Sequence, residues 1–551
     1  MTKRQTAIIT ALSIIAFILG FMVSGRLWLR LDLTKNKAYT ISKVSRNLHS
    51  EIPDYVHITY YLSGKLKTIV TSPGEIEDTL REYAAHSKGK IRVTVRDPLK
   101  GNLAMVAEEL GLQPRQVQTV EKDQASLVTV YSGIVIEYLD KTEILPWVIS
   151  TDTLEYDLTS RIRSLVMDTE RRLGVIVGDS FRQWREDFSF LNQTLAEAGY
   201  RVRLVQPGGE IPENLPAIFV LGGVEDFDEW ALYRIDRYIQ LGGKVLFAVK
   251  GVYVDTASGS IEARPFSPPQ ENNLLDMISS YGVTIKKELV LDRNALTLQY
   301  QTRLPSGAVQ YRIVRYPLWI GVLANNGNSD HPVSAAFTGL DLFWSSPLEL
   351  NPPSQVEAVP LFVSTKEAWS MLESYNTNPE IGYLLERDAA ETRGVKILGA
   401  SVDGVFPSFF GGKPKPARET ADPEAETLEL PDMPRQASPS RIIVVGDTDF
   451  ATNIINATGG RHNLDFFQRA ADWLASDDDI IGIRSRQPYA GRLDKIAEPA
   501  RRAAAMRFAQ VLNTAVIPLL VIACGFVLFS RRRARSRNAE IYSVKENSDA
   551  V

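Results

Sequence analysis

Cysteine is almost missing from these 551 residues, and the one thiol, Cys524, lies in an apolar run near the end. Everything before it is therefore without disulfides, thiolate metal sites or cysteine nucleophiles. Large folded regions must rely on packed cores instead. Histidine is scarce as well. His49, His57, His86, His331 and His462 are the full set, and no two stand at zinc-ligand spacing. The Gly-Lys pairs at 64–65, 89–90, 243–244 and 412–413 lack both the upstream Gly and the following Ser/Thr of a phosphate loop. That excludes ATP binding by a P-loop, and no cofactor or metal is expected. A net charge of −4 with 23% charged residues gives no basic footprint for nucleic acid.

Long charge-free runs are present, and there are two. Residues 5–25 ("QTAIITALSIIAFILGFMVSG") and 508–530 ("FAQVLNTAVIPLLVIACGFVLFS") each match the roughly 20 residues a helix needs to cross a bilayer. The apolar core of the first is longer than that of a signal peptide, and "VSG" is a poor cleavage site. It reads as an uncleaved anchor. Pro518 in the second is tolerated inside membranes. The tail "RRRARSR" after the second run marks the cytoplasmic side. Two spans then place both termini in the cytoplasm and residues 26–507 outside it. The expected arrangement is a two-pass membrane protein with a large extracytoplasmic region.

Within that region two α/β rhythms follow one another. From 38 to 150, "YVHITYYL", a helix from Pro73, "KIRVTVRDP", "NLAMVAEELGL" and the hairpin "SGIVIEYLDKTEILPWV" give a β-α-β-α-β-β order, as in thioredoxin-like domains. Without Cys-x-x-Cys, redox chemistry is excluded. Residues 151–170 read as an amphipathic connector helix. From 171 to 412 and again from 441 to 486, continuous apolar strands ("RLGVIVGDS", "PAIFVLGG", "KVLFAV", "RIIVVGDTDF") alternate with helices. That pattern implies a doubly wound, mostly parallel sheet of amidotransferase or flavodoxin type. Between its two parts, 413–440 carries six prolines and six acidic residues and reads as a disordered insertion. Residues 487–507 form a juxtamembrane segment and 531–551 a basic tail.

Three stretches carry candidate chemistry. Gly446-Asp447-Thr448-Asp449 resembles the nucleophile strand of an aspartate phosphatase. That chemistry needs further strands downstream, and too few residues remain before the second span. Asp at the end of a buried strand also caps turns. Asp447, Asp449 and Asn453 are kept as candidate ligand or partner contacts. Gly178-Asp179-Ser180 resembles an esterase block, but the positions three before His331 and His462 are Asn328 and Gly459 rather than Asp. The Gly-Gly pairs at 222–223 and 242–243 read as turns.

The segments "LDLTKNKAYTIS" (31–42), "YIQLGGKVLFAV" (238–249), "VVGDTDFATN" and "DFFQRAADWLASDDDIIGIRSR" (465–486), with the final span and its arginine cluster, resemble one family nearly end to end. It is the family of auxiliary membrane proteins of ABC transporters related to the gliding-motility protein GldG. One departure is Lys250-Gly251, where relatives show Asp-Pro. The resemblance implies a bacterial inner-membrane location with a periplasmic region, a partner permease and a separate cytoplasmic ATPase; it does not imply catalysis. In this family the Gly-Asp-Thr-Asp strand is a fold signature. The alternatives left open are a stand-alone envelope hydrolase and an extracytoplasmic solute- or glycan-binding receptor. Asp32 and Tyr39, in "LDLTKNKAYTIS", complete the candidate partner contacts. That segment is either a tether whose Thr40 or Ser42 caps the next helix, or a docked element that fixes the ectodomain against the anchor.

Overall fold

The computed structural model describes residues 40–475, apart from 70–71, 102, 113, 122–123, 152, 168–169, 257–260, 269–271, 304–308, 335–336, 380–391 and 417–429, together with scattered residues from 504 to 530. The first expected span, Asp32 and Tyr39 lie outside the described residues. Residues 40–475 belong to one compact unit and those from 504 onward to another. In the latter, the described backbone is helical in part, with Phe508, Ile522 and Phe526 exposed. Among the described residues no helix is long and apolar enough to cross a membrane.

The chain enters the larger unit through a helix, Lys43–Glu51, whose N-cap is Ser42; its hydroxyl accepts from the Ser45 N–H. A four-stranded sheet follows, in the order Ile91–Arg96, Val56–Leu62, Ser132–Tyr138, Lys141–Leu145. Its first pair is parallel and the rest antiparallel. The turn of the last hairpin places Leu139 at φ 54°. Helix Ser72–Ala85 buries Ile76, Leu80 and Tyr83, which are spaced to share one helical face.

The helix expected as a connector, Leu154–Met167, is part of this domain's core. Leu154, Leu158, Ile162 and Leu165 pack with the strand residues Val56, Ile58 and Ile134. Its polar side is tied in as well. Glu155 accepts from the Ser42 N–H at 2.7 Å, and Thr159 shares hydrogen bonds with Ser45 and Tyr83. Polar positions at helical spacing read as a solvated face in sequence, but here they meet hydroxyls.

The second domain is built on a nine-stranded mixed sheet. Five strands run parallel, in the order Arg201–Leu204, Arg172–Val177, Ala217–Leu221, Lys244–Ala248, Ser440–Val445. Ile397–Gly404 then pairs antiparallel with the last of these, and Val283–Ile285, Leu348–Leu350 and Val356–Val363 extend the antiparallel side. The apolar runs are continuous because both faces are covered. Ala217, Phe219 and Leu221 pack on one side with Leu191 and Phe467, while Ile218 and Val220 pack on the other with Ile235 and Ile239. Each such fully buried large side chain contributes roughly 1.5–3 kcal/mol.

The insertion at 413–440 is not free along its described length. Residues 417–429 are outside the described set, but Leu430 is 4% exposed and packs in the second domain's core. The Tyr233 hydroxyl donates to the Pro431 carbonyl at 3.0 Å, and the Arg237 guanidinium donates to the Asp432 carbonyl at 3.1 Å. Composition concealed this, because one leucine and a few backbone carbonyls make the attachment.

Candidate functional site

Four parallel strands end side by side, and each delivers its next residues to the same place. Arg172–Val177 leads to Gly178-Asp179, Ala217–Leu221 to Gly222-Gly223, Lys244–Ala248 to Val249-Lys250, and Ser440–Val445 to Gly446-Asp447-Thr448-Asp449. In open α/β sheets this carboxyl edge is where functional groups collect. Glycine lets the strand ends touch. A Cβ on Gly178 would lie 2.6 Å from the Gly223 Cα, and one on Gly222, at φ +76°, would fall inside the Asp179 carboxyl group.

The result is a buried cluster of charge. The Asp449 carboxylate is held from two sides, by the Lys250 ammonium and by the Arg182 guanidinium. Arg182 also approaches Asp179 at 3.4 Å, and Asp179 accepts from the Gly223 N–H at 2.8 Å. The Lys250 ammonium lies 5.7 Å from the Trp344 ring centroid. Asp447 is fully buried and bonded to backbone alone among the described residues, accepting from Phe343 N–H at 2.6 Å and Asp449 N–H at 2.7 Å.

The two carboxylates differ electrostatically. Burial, then the neighbouring Asp449 charge, push Asp447 up to about 7, against the pull of Lys250 and the two N–H donors. Burial works against ionising Asp449 too, but Lys250 and Arg182 outweigh it and hold that carboxyl below its ordinary range. Burial raises Asp179 as well, against the pull of Arg182, so the three carboxyls facing two cations share a drive to hold one proton.

Around the mouth stand Phe181, 59% exposed, and Tyr253, edge-on to it at 6.2 Å. Arg264 lies over Tyr253 at 4.2 Å and pairs with Glu225 at 2.6 Å. The cavity beneath Phe181 measures about 10 Å³, room for one water. A larger cleft of about 930 Å³ lies elsewhere, lined by Trp147, Phe190 and Arg461 among others. Arg161 reaches across its edge, donating to Glu143 at 2.9 Å and to the Glu197 carbonyl at 3.1 Å.

Of the candidates named from sequence, Asp447 and Asp449 meet in the charge cluster. Asn453 does not. Its amide donates to the Glu186 carbonyl at 2.5 Å and the Ser189 hydroxyl at 2.9 Å, and so fixes the start of helix Ser189–Glu197. Ser180 donates its N–H to Asp226 at 3.0 Å. The pair that looks most like a serine with its base is Ser401 and His331, at 3.0 Å. There the Val333 N–H donates to Nδ1 at 3.3 Å, so Nε2 carries the proton and donates to Ser401. Such an imidazole cannot take the serine proton. Burial also pushes it down to about 4. Among the described residues no group of three His, Cys, Asp or Glu could hold a metal ion.

Sequence reading missed Arg182, which sits in "SFRQWRED" with no periodic or motif signal. Lys250 stood out only as a departure from the family pattern. In the fold that departure gives Asp449 a cation.

Comparison with known proteins adds five observations. Residues 35–137 match a family of domains of unknown function. An uncharacterized protein of Borreliella burgdorferi is 26% identical over 522 residues, covering 92% of this chain and 93% of its own length. Among solved structures, the mmIFT52 N-terminal domain aligns over 56% of this chain and 98% of its own, at 12% identity and TM-score 0.32. Exo-β-1,4-mannosidase Op5Man5 from Opitutaceae bacterium strain TAV5 aligns over 73% of this chain and 50% of its own, at 10% identity and TM-score 0.23. Residues 170–481 match the family described as an ABC-type uncharacterized transport system. That is more than half of the chain, and the protein belongs to this family.

Proposed function

We propose that this protein is a non-enzymatic auxiliary subunit of an ABC-type transport system, anchored in the bacterial inner membrane. Its α/β domains bind a partner protein or envelope ligand outside the cytoplasm, and it works beside a permease subunit and a separate cytoplasmic ATPase, as the GldG-like resemblance implies. Family membership over residues 170–481 carries the reading. The arrangement at the sheet's carboxyl edge supports it. Asp449 is occupied by Lys250 and Arg182, and Asp447 by backbone N–H groups, so these carboxylates serve the fold rather than a bound substrate.

The test is purification of the full chain in mild detergent, with identification of co-purifying proteins by mass spectrometry. A permease and an ATPase are expected. Their absence, together with robust esterase turnover abolished by Ser180→Ala, would replace the subunit reading with the hydrolase one. Reporter fusions at residue 300 and after 537 are expected to read exported and cytoplasmic, and a cytoplasmic signal at 300 would end the proposed topology. For "LDLTKNKAYTIS", a flexible Gly/Ser replacement of 32–39 keeps reach and removes stiffness. Full transporter function in that variant would reduce Asp32 and Tyr39 to parts of a tether.

A further inference from the structure

A three-stranded sheet on the second domain, Ala295–Arg303, Val309–Val322 and Leu340–Phe343, has one long hairpin with two unlike faces. The inner face packs Leu298, Tyr300 and Val314 against the core. The outer face carries the cross-strand rows Thr297–Arg315, Gln299–Ile313 and Gln301–Tyr311. All six of these residues are exposed, with Tyr311 at 61% and Ile313 at 70%. Adjacent apolar side chains left in water on an ordered strand mark a contact surface.

Three features say what would cover it. The strand Ala295–Arg303 is the edge of its sheet, and no described strand pairs with its outer side. From Leu296 to Thr302 it carries no proline and no charge, the devices that usually blunt an edge. The stretch from Asn294 to Ser329 contains three arginines and neither Asp nor Glu, in a chain whose net charge is −4. Arg315 is exposed on the outer face and Arg312, opposite Tyr300, is exposed on the other, and neither makes an ion pair among the described residues.

We infer that this ribbon is a docking surface for an acidic, extended segment of a partner protein, which adds as a strand along Ala295–Arg303 and sets one carboxylate on the outer face toward Arg315, across Thr297, and another on the opposite face toward Arg312, across Tyr300. Strand addition satisfies the edge's backbone groups, which no described strand pairs, and outward side chains of the incoming strand lie over Gln299 and Gln301 toward Ile313 and Tyr311. A lipid surface fits less well, because acyl chains cannot satisfy backbone N–H groups or the amides of Gln299 and Gln301. A second copy would bring arginine against arginine with no carboxylate between them. The inference rests on the partner-binding reading above and gives that partner a chemistry.

The experiment uses the full chain in detergent and a fluorescent peptide of Glu-Val-Val repeats, whose glutamates three apart face both ways, about nine residues long to match a strand, with binding read by anisotropy. The expected result is saturable binding that weakens as salt rises from roughly 0.05 to 0.3 M, and no binding of the matching Lys-Val-Val peptide. Arg312→Glu with Arg315→Glu is expected to weaken binding by about tenfold, and Ile313→Ser by about threefold. Both changes are at exposed positions, and unaltered melting of each variant checks that the fold is kept. Equal binding by wild type and the double charge reversal overturns the inference. So does failure of the Glu-Val-Val peptide to bind, capture instead by vesicles with about 30% anionic lipid, or self-association abolished by Ile313→Ser. Co-purification of a permease and an ATPase is scored separately. If it persists in the charge-reversed variant while peptide binding is absent, the ribbon inference falls and the subunit reading stands.

Discussion

The two domains bury polar groups in different ways. In the first, Ser42, Ser45, Tyr83 and Thr159 form a chain of hydroxyls that reaches the Glu155 carboxylate, Tyr60 shares a hydrogen bond with Ser132, and the buried Arg161 pairs with the partly exposed Glu143. In the second, the carboxyl edge of the sheet buries Asp179, Arg182, Lys250, Asp447 and Asp449, and a separate pairing joins Arg171 to Asp472. Hydroxyls cost little to bury once each has a partner. Charges cost far more, and they are tolerated only in sets, because every member depends on the others. The first domain should therefore lose its polar contacts one at a time, and the second should lose them together.

The largest effect is expected at Lys250. Lys250→Met keeps most of the side-chain volume but leaves Asp449 buried with Arg182 alone. Breaking a buried pair from one side costs about 3–5 kcal/mol. Urea unfolding of the full chain, followed by hydrogen exchange in Ala217–Leu221 and Lys244–Ala248, should show that loss. Adding Asp449→Asn should recover part of it, since the stranded charge is then gone. A loss under about 1 kcal/mol for Lys250→Met would mean the cluster is solvated and not coupled.

Next in size is the hydroxyl network. Thr159 is fully buried, with its hydroxyl 2.8 Å from that of Ser45 and 2.9 Å from that of Tyr83. Thr159→Val keeps the shape and leaves the Tyr83 hydroxyl without this partner, for about 1–2 kcal/mol. That loss should be confined to the first domain and should not depend on pH. Spread of the loss into the strand Ala217–Leu221 would show that the domains unfold as one, and would erase the contrast.

How much of this was legible in sequence depends on distance along the chain. The strands Ala217–Leu221 and Lys244–Ala248 announce themselves, since a run of apolar β-formers between turn residues is a local signal. So does the Ser42 cap. The cluster is another matter. Lys250 and Asp449 are 199 residues apart, and Arg182 and Asp449 are 267 apart. No spacing rule links them, and only closure of the parallel sheet brings them together. Asp447 and Asp449 were visible as strand-end carboxylates, but which of them would meet a cation was not. Asn453 lay in the same motif, yet the fold turned it toward the backbone of Glu186.

A pH series sharpens the comparison further. Burial pushes His49, in the first domain, down to about 4. Its folded value lies below the ordinary 6.5, so its contribution is intact above pH 6.5 and is lost as pH falls from there through about 4. His331 does the same in the second domain. Asp447 has the opposite sign. Its folded value is raised from 3.8 to about 7, so its contribution is full below 3.8 and is lost as pH rises through about 7. Acidification from pH 7.5 to 4.5 should weaken the first domain, and His49→Phe should remove most of that response while keeping the edge contact with Tyr83. The second domain should respond less, because Asp447 offsets His331. With Asp447→Asn its loss on acidification should grow. A smaller acid response in that variant would reverse the assigned sign.

The smallest effect is expected from charges that the first domain keeps at its surface. Glu77 pairs with Lys67 at 2.6 Å and with Arg81 at 2.5 Å, but the two cations remain 43% and 66% exposed. Water already solvates them, and salt screens them further. Holding two long side chains in place also costs rotamer entropy, so the net value of such pairs is small even at short distance. Glu77→Gln keeps the length of the side chain and one acceptor, and should cost roughly 0.5 kcal/mol or less. A thermal melt at low salt should show a shift barely above error, and at about 0.5 M salt none. If Glu77→Gln instead rivalled Lys250→Met, burial would not be what separates the two domains, and the contrast would have to be rebuilt on pairing alone.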